Sequence, residues 1–242
     1  MASPIWISHR GYCLEAEENT AEAFRVARSL GFLHLETDLR TTADGHIVLA
    51  HDATLERLSG TTHRIEASPR LLLEQVQLRG KARLVFFDQF LEEFTQSHWI
   101  FDIKPESALR TIDTLLHWWR QPGYRDFFSQ RVRFLFWDKS HQDYLLRYQP
   151  AARCMARVEQ CRRAGIACAL GMPSLAGIEP GVSYSLPPRI GGINLMQPSI
   201  LSRYRRHGAN VLAYLPATEA DTRLALKAGV DEILTDGPIL TA

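Results

Sequence analysis

The chain has 242 residues, 45% of them hydrophobic and 23% charged, and 28 lysines and arginines against 27 acidic residues leave a formal net charge of +1. A chain of this length can bury about 70% of its unfolded surface in one large core, and its balanced charge makes no electrostatic case for nucleic acid or an anionic membrane. No apolar run reaches the ~18 residues of a membrane span and the first strand begins near residue 4, so the sequence predicts one globular domain over 1–242, cytoplasmic and without stable membrane anchoring. The four cysteines, Cys13, Cys154, Cys161 and Cys168, include no CxxC pair. Zinc sites usually pair ligands at closer spacing, so these read as small buried thiols in a reducing compartment.

In chain order, Ile5-Trp6-Ile7-Ser8 is a β-prone run that delivers His9 at its end. Asn19 is the expected helix cap, with Glu22 completing an N-x-x-E box; Ala23, Val26, Ala27 and Leu30 form the apolar stripe and Gly31 the stop. The run 33–39 alternates with period two, which projects Glu36 and Asp38 to one face. Asp44-Gly45 then signals a hairpin, and a turn centred there sets Thr42 near His46 and Asp38 near Ala50. His51 thereby returns to the level of the two carboxylates.

The segment 53–83 is polar and irregular, broken by Gly60, Pro69 and Gly80, and reads as an insertion over the C-terminal rim of the fold. A helix near 87–96 precedes a strand at 99–103, where Asp102 and Lys104 share a face. Helix and strand then alternate: helix 107–120, strand 132–137, helix 140–148. The fifth strand is either 153–156 or 166–170. Strands at 192–195, 210–214 and 232–235 follow, with helices at 199–207 and 219–228 between them. Eight such strands in about 250 residues predict an α/β fold, a (β/α)8 TIM barrel, with the helix after the last strand missing or very short.

The chemistry-bearing residues stand at strand ends. Glu36, Asp38 and Asp102 offer hard oxygen ligands to a divalent cation, and His9 and His51 are suited to proton transfer near neutral pH. Bland alternatives exist for each. Either histidine can be a hydrogen-bonded structural residue, and Asp38 with Arg10 and Asp102 with Lys104 can be plain ion pairs. Glu18 reads as a partner of Arg10 or as part of the helix entry rather than a metal ligand, and His34, His46 and His63 as structural or surface residues.

The series His9-Arg10-Gly11, Glu18-Asn19-Thr20, Glu36-Thr37-Asp38, Asp44-Gly45, His51-Asp52, Asp102-Ile103-Lys104-Pro105 and the run 229–238 (GVDEILTDGP) resembles the glycerophosphodiester phosphodiesterase family. The residues 131–189 match that pattern poorly. The resemblance implies hydrolysis of a small-molecule glycerophosphodiester to an alcohol and glycerol 3-phosphate, with one Mg2+ or Ca2+ ion and two histidines as acid and base. It assigns catalysis to His9 and His51, the metal to Glu36, Asp38 and Asp102, and substrate phosphate binding to Arg10 and Lys104.

This chain departs from the family pattern at several places. Asp102 stands for the usual glutamate and Glu17 for a proline. Phe136-Trp137 replaces Ser-Phe, and Tyr214-Leu215-Pro216-Ala217 replaces Trp-Thr-Val-Asn. Two other readings are a lipid phosphodiesterase related to the sphingomyelinase D enzymes, with Trp118, Trp119, Tyr124, Phe127 and Phe128 as candidate lipid contacts, and a non-catalytic phosphodiester-binding barrel. The oligomeric state is not legible in the sequence.

Overall fold

The structure, a computed structural model, describes residues 3–240. It divides into two compact units, Ser8–Cys154 and the chain from Met155 onward together with the segment up to Ile7. Strand β1 (Ile5–His9) contributes residues to both.

The first unit continues with α1 (Ala21–Ser29), β2 (His34–Thr41), β3 (Ile47–Leu49), α2 (Glu56–Ser59), α3 (Arg70–Leu73), α4 (Phe87–Glu93), β4 (His98–Ile103), α5 (Ala108–Arg120), α6 (Arg125–Arg131), β5 (Val132–Phe136) and α7 (Lys139–Tyr148). Strands β5, β4 and β2 are parallel neighbours, and β3 folds back antiparallel on β2. The hairpin has the register that its turn residues imply: Thr42 N–H donates to the His46 carbonyl at 2.9 Å and Ala50 N–H to that of Asp38 at 3.0 Å. Gly45 takes φ 89° in that turn, a conformation that costs a side-chain-bearing residue energy.

Strand β2 is buried on both faces. Thr41 bonds the Thr111 hydroxyl of α5 at 2.7 Å, so the odd positions face the outer helices and Glu36, Asp38 and Arg40 face the other way. The helices are held by aromatic side chains. Phe24 of α1 meets Trp99 of β4 edge to face at 5.0 Å, and Phe90 of α4 meets the same indole at 4.7 Å. Truncating a buried aromatic of this kind to alanine costs about 3–5 kcal/mol.

Asn19 is not the cap of α1. Thr20 is, its hydroxyl accepting from Ala23 N–H at 3.3 Å. Asn19 has φ 56° rather than the extended backbone of a cap, and its side chain is drawn to Asp38 instead. Glu22 therefore does not complete a capping box. The segment 53–83 is less irregular than its composition suggests: Leu55, Leu58, Ile65, Leu73, Val76 and Leu78 form an apolar cluster of their own with Val48 and Phe86.

Of the two candidates for the fifth strand, 153–156 is the one. Phe134 N–H donates to the Arg153 carbonyl at 2.8 Å and Cys154 bridges Phe134 in parallel. The alternative, 166–170, lies within and just after α8 (Val158–Ala169), where Ala164, Ala167 and Cys168 are buried at helical spacing while Ile166 is exposed.

The second unit contains α8, β6 (Ser183–Leu186), β7 (Arg189–Ile190), β8 (Ile193–Asn194), α9 (Pro198–Arg206), β9 (Asn210–Tyr214), α10 (Glu219–Ala228) and β10 (Glu232–Thr235). Strands β6, β9 and β10 run parallel. The expected sheet strand at 192–195 is instead half of a small antiparallel hairpin with β7. Gly191 and Gly192, at φ 54° and 81°, form the two-residue turn that favours this pairing. The sheet strand is β6, masked in the sequence by its serines and by Pro187-Pro188. Residues 236–240 carry no helix. Among the described residues, no helix is long and apolar enough to cross a membrane.

Candidate active site

The site lies within the first unit, where β2 and β4 pair in the register Glu36 with Ile100 and Asp38 with Asp102. Because side chains alternate along a strand, this register sets Glu36 and Asp38 on one face with Asp102 beside Asp38. Each of the three carboxylates presents an oxygen within 4.8 Å of the others, and all three residues are buried.

Two cations enter this cluster. Lys104, 4% exposed, lies 2.6 Å from Asp38 Oδ1 and 2.7 Å from Asp102 Oδ2. Arg10 Nε lies 3.1 Å from Asp38 Oδ2, at ion-pair range though not aligned as a hydrogen bond. Arg10 Nη1 donates to Glu18 Oε1 at 3.2 Å, so of the two readings of Glu18 it is the arginine's partner. Arg10 has φ 56° and Gly11 φ 85°. A Cβ on Gly11 would lie 2.6 Å from that of Ala23, so the turn after β1 closes on α1 only with glycine.

Three carboxylates face two side-chain cations, and the imbalance falls on Glu36. Its Oε2 accepts the Arg10 backbone N–H at 3.2 Å and lies 3.9 Å from His9 Nε2. Burial, with Asp38 and Asp102 adding their charges, pushes its carboxyl well above the ordinary carboxylate range. Burial likewise raises Asp102. For Asp38 burial pulls upward, but Lys104 and Arg10 outweigh it and hold the group low. A buried set of hard oxygens with one unmatched negative charge suits a cation, so Glu36, Asp38 and Asp102 can hold a metal ion.

His51 comes back to this level in the bend just past β3. Its Nδ1 lies 2.8 Å from Asp52 Oδ1 and its side chain is 36% exposed. Its carbonyl accepts from Arg40 Nε at 2.9 Å and Nη2 at 2.7 Å, while Arg40 Nη1 reaches Glu66 at 2.6 Å and Glu106 at 3.1 Å. Contacts therefore join six of the expected residues directly, namely His9, Arg10, Glu36, Asp38, Asp102 and Lys104. His51 connects to them through Asp52, Arg57, Glu18 and Arg10. His34, given no catalytic part, stacks on His98 at 4.5 Å.

Sequence reasoning missed several supporting residues. Asn19 Nδ2 donates to Asp38 Oδ2 at 2.9 Å, while its Oδ1 accepts the Thr37 hydroxyl at 2.7 Å. Trp137 Nε1 donates to Asp102 Oδ1 at 2.8 Å, and Lys104 Nζ sits 5.5 Å from the indole centroid. The only advance signal for Trp137 was that it departs from the pattern at a strand end. Arg40 gave no signal, because an arginine in a strand reads as solvent-facing.

Residues 9–129, half of the chain, match the model of the glycerophosphoryl diester phosphodiesterase family. A glycerophosphodiester phosphodiesterase of Caldanaerobacter subterraneus is 25% identical over 96% of this chain and 93% of its own length. The glycerophosphoryl diester phosphodiesterase domain of a Mycobacterium tuberculosis protein superposes with a TM-score of 0.81, covering 98% of this chain and 97% of its own at 16% identity. An Oleispira antarctica phosphodiesterase, solved in complex with the product sn-glycerol-3-phosphate, gives 0.74 over 98% and 94% at 18% identity. Likeness at such identities speaks to fold, and with the alternating parallel strands it shows the α/β barrel class expected. The family match supplies what fold alone cannot: the chain belongs to the glycerophosphoryl diester phosphodiesterase family and by that membership is a phosphoric diester hydrolase.

Proposed function

We propose that the protein hydrolyses small glycerophosphodiesters to an alcohol and glycerol 3-phosphate, with His9 and His51 as acid and base and one divalent cation, Mg2+ or Ca2+, held by Glu36, Asp38 and Asp102. The observation that carries this reading is the buried trio of carboxylates with one charge unmatched by Arg10 and Lys104, beside His9. A cation bound there would offset the phosphodiester's negative charge and polarise its P–O bonds.

The side chains do the rest. Arg10 and Lys104 lend positive charge to the phosphate's remaining oxygens from positions already fixed by Asp38. One histidine takes the proton of the attacking oxygen, that of water or of the substrate's own hydroxyl, and the other gives one to the departing alcohol oxygen; by the second route water then opens the cyclic phosphate with the two histidines' roles reversed. His51 has Nδ1 engaged with Asp52, which leaves Nε2 for this work. The segment 53–83 is read as an insertion over the active-site face.

The aromatics offered for lipid contact favour a small soluble substrate instead. Trp119, Phe127 and Phe128 are buried, with Trp119 stacked on Phe128 at 5.2 Å, and Trp118 packs on Tyr124 at 5.5 Å. The test is to incubate the protein with glycerophosphocholine, glycerophosphoethanolamine, lysophosphatidylcholine and sphingomyelin, with and without EDTA, and follow products by phosphorus NMR. Glycerol 3-phosphate should form from the first two and EDTA should stop it. Preference for the micellar lipids would favour the lipid-phosphodiesterase reading, and no turnover by folded, metal-loaded protein would sink the proposal.

A further inference from the structure

Arg57 lies on α2, 39 residues from one of its partners and outside every role assigned so far. Its guanidinium is used on two sides. Nε donates to Asp52 Oδ2 at 2.6 Å, while Nη1 and Nη2 donate to Glu18 Oε2 and Oε1 at 2.9 and 2.7 Å. Asp52 in turn meets His51 Nδ1 with its other oxygen at 2.8 Å, and Glu18 meets Arg10 at 3.2 Å. Charges of alternating sign thus run from Arg10 through Glu18 and Arg57 to Asp52, which meets the His51 ring.

We propose that Arg57 is a positioning residue for His51, holding Asp52 so that His51 keeps its proton on Nδ1 and offers Nε2 to the substrate. The inference rests on the acid/base role of His51 given above. His51 and Asp52 are adjacent in sequence and about one-third exposed, at 36% and 32%. Two such side chains have many rotamers available and water to compete for each. With Oδ2 fixed by Arg57, Asp52 can aim Oδ1 at the imidazole and at little else.

An ionised carboxylate only accepts hydrogen bonds, so the ring nitrogen facing it must carry the proton. Asp52 is kept ionised: partial burial pulls its carboxyl upward, but the hydrogen bonds from His51 and Arg57 outweigh this and hold it below the usual range. The fork geometry is specific to arginine. A lysine presents one nitrogen and cannot give Glu18 a paired fork while a third donor, on another edge of the same plane, holds Asp52. The end of α2 is set by Gly60 at φ 78°, which stops the helix one turn past the loop that carries Asp52.

The experiment compares wild type with Arg57→Lys, Asp52→Asn and the double variant, and reads two things. In substrate-free protein, nitrogen NMR of the His51 ring, assigned by its loss in His51→Ala, reports which nitrogen bears the proton. Steady-state kinetics on glycerophosphocholine separate kcat from KM. Wild type should show the Nδ1–H tautomer; Arg57→Lys should show a mixture, with kcat down about 10- to 100-fold as for other outer partners of a working histidine, and KM changed less than about threefold. The double variant should be no worse than Asp52→Asn, because Arg57 acts through Asp52.

An Nε2–H tautomer in wild type overturns the proposal, as does Arg57→Lys with an unchanged tautomer and kcat, or losses that multiply in the double variant. If Arg57→Lys does not fold, the wild-type tautomer and its change in Asp52→Asn still decide. If wild type hydrolyses no glycerophosphodiester, the proposed function fails on its own, and the ring-nitrogen spectra still show whether Arg57 sets His51.

Discussion

Asp38 and Asp102 are lateral neighbours on paired parallel strands, and they share a single buried ammonium: Lys104 Nζ stands 2.6 Å from one and 2.7 Å from the other. The plain Asp102–Lys104 ion pair and a metal-binding carboxylate trio are thus not rival arrangements. The lysine neutralises part of the trio and leaves a remainder for a cation.

Removing the lysine should therefore leave two uncompensated buried carboxylates. Breaking a buried pair by deleting one partner costs about 3–5 kcal/mol. Lys104→Met should lose stability on that order in EDTA, and less in saturating Ca2+ or Mg2+. Urea unfolding with and without metal checks this; equal losses in both conditions would detach Lys104 from the metal cluster.

Glu36 gives a pH dependence. Its carboxyl is raised by burial and by Asp38 and Asp102, so the folded chain holds a proton that the unfolded chain releases at the ordinary glutamate value. Its contribution is full below the ordinary range and is lost as pH rises toward the raised value. Metal-free wild type should thus lose thermal stability relative to Glu36→Gln across that window. A bound cation should reverse the difference. Melting curves of both proteins over a pH series provide the test, and parallel curves would refute the sign.

His9 and His51 should each be needed for turnover. Loss of a general acid or base typically costs about 100-fold or more. His9→Ala and His51→Ala should fall by at least that much in kcat while keeping wild-type circular dichroism. Near-normal turnover by either folded variant would remove it from the acid/base pair.

What was legible in the sequence was local and periodic. Two-residue spacing set Glu36 beside Asp38 and Asp102 near Lys104, and Asp44-Gly45 fixed the register that returns Ala50 to Asp38 at 3.0 Å. What was illegible depended on partners far along the chain. Asn19 has the chemistry of a cap, but the Thr37 hydroxyl takes its side-chain oxygen and the buried Asp38 carboxylate its amide N–H, which turns it to another use. Arg40 and Arg57 carry no signal in the sequence, because their partners Glu66 and Glu18 are brought to them only by the fold. Ser183–Leu186 failed to read as a strand because its hydroxyls suggest exposure, whereas Ser183 is buried with its hydroxyl donating to Glu232 at 2.8 Å.

Asp102 carries the last prediction. Both its oxygens already have partners, Lys104 on Oδ2 and the Trp137 indole on Oδ1. These hydrogen bonds orient the carboxylate without exhausting its lone pairs, since each oxygen can accept twice. Asp102→Asn keeps the shape but removes one negative charge from a hard-cation site. Half-saturating Mg2+ and Ca2+ should rise, and excess metal should restore part of the activity. Trp137→Phe should raise them by less, because it frees the carboxylate to rotate without discharging it. Asp102→Glu should keep substantial activity, a longer carboxylate still reaching a cation held by Glu36 and Asp38. Calorimetric metal titration of the three folded variants separates charge from orientation. Unchanged affinity in Asp102→Asn would take Asp102 out of the metal site and leave it as the lysine's ion-pair partner alone.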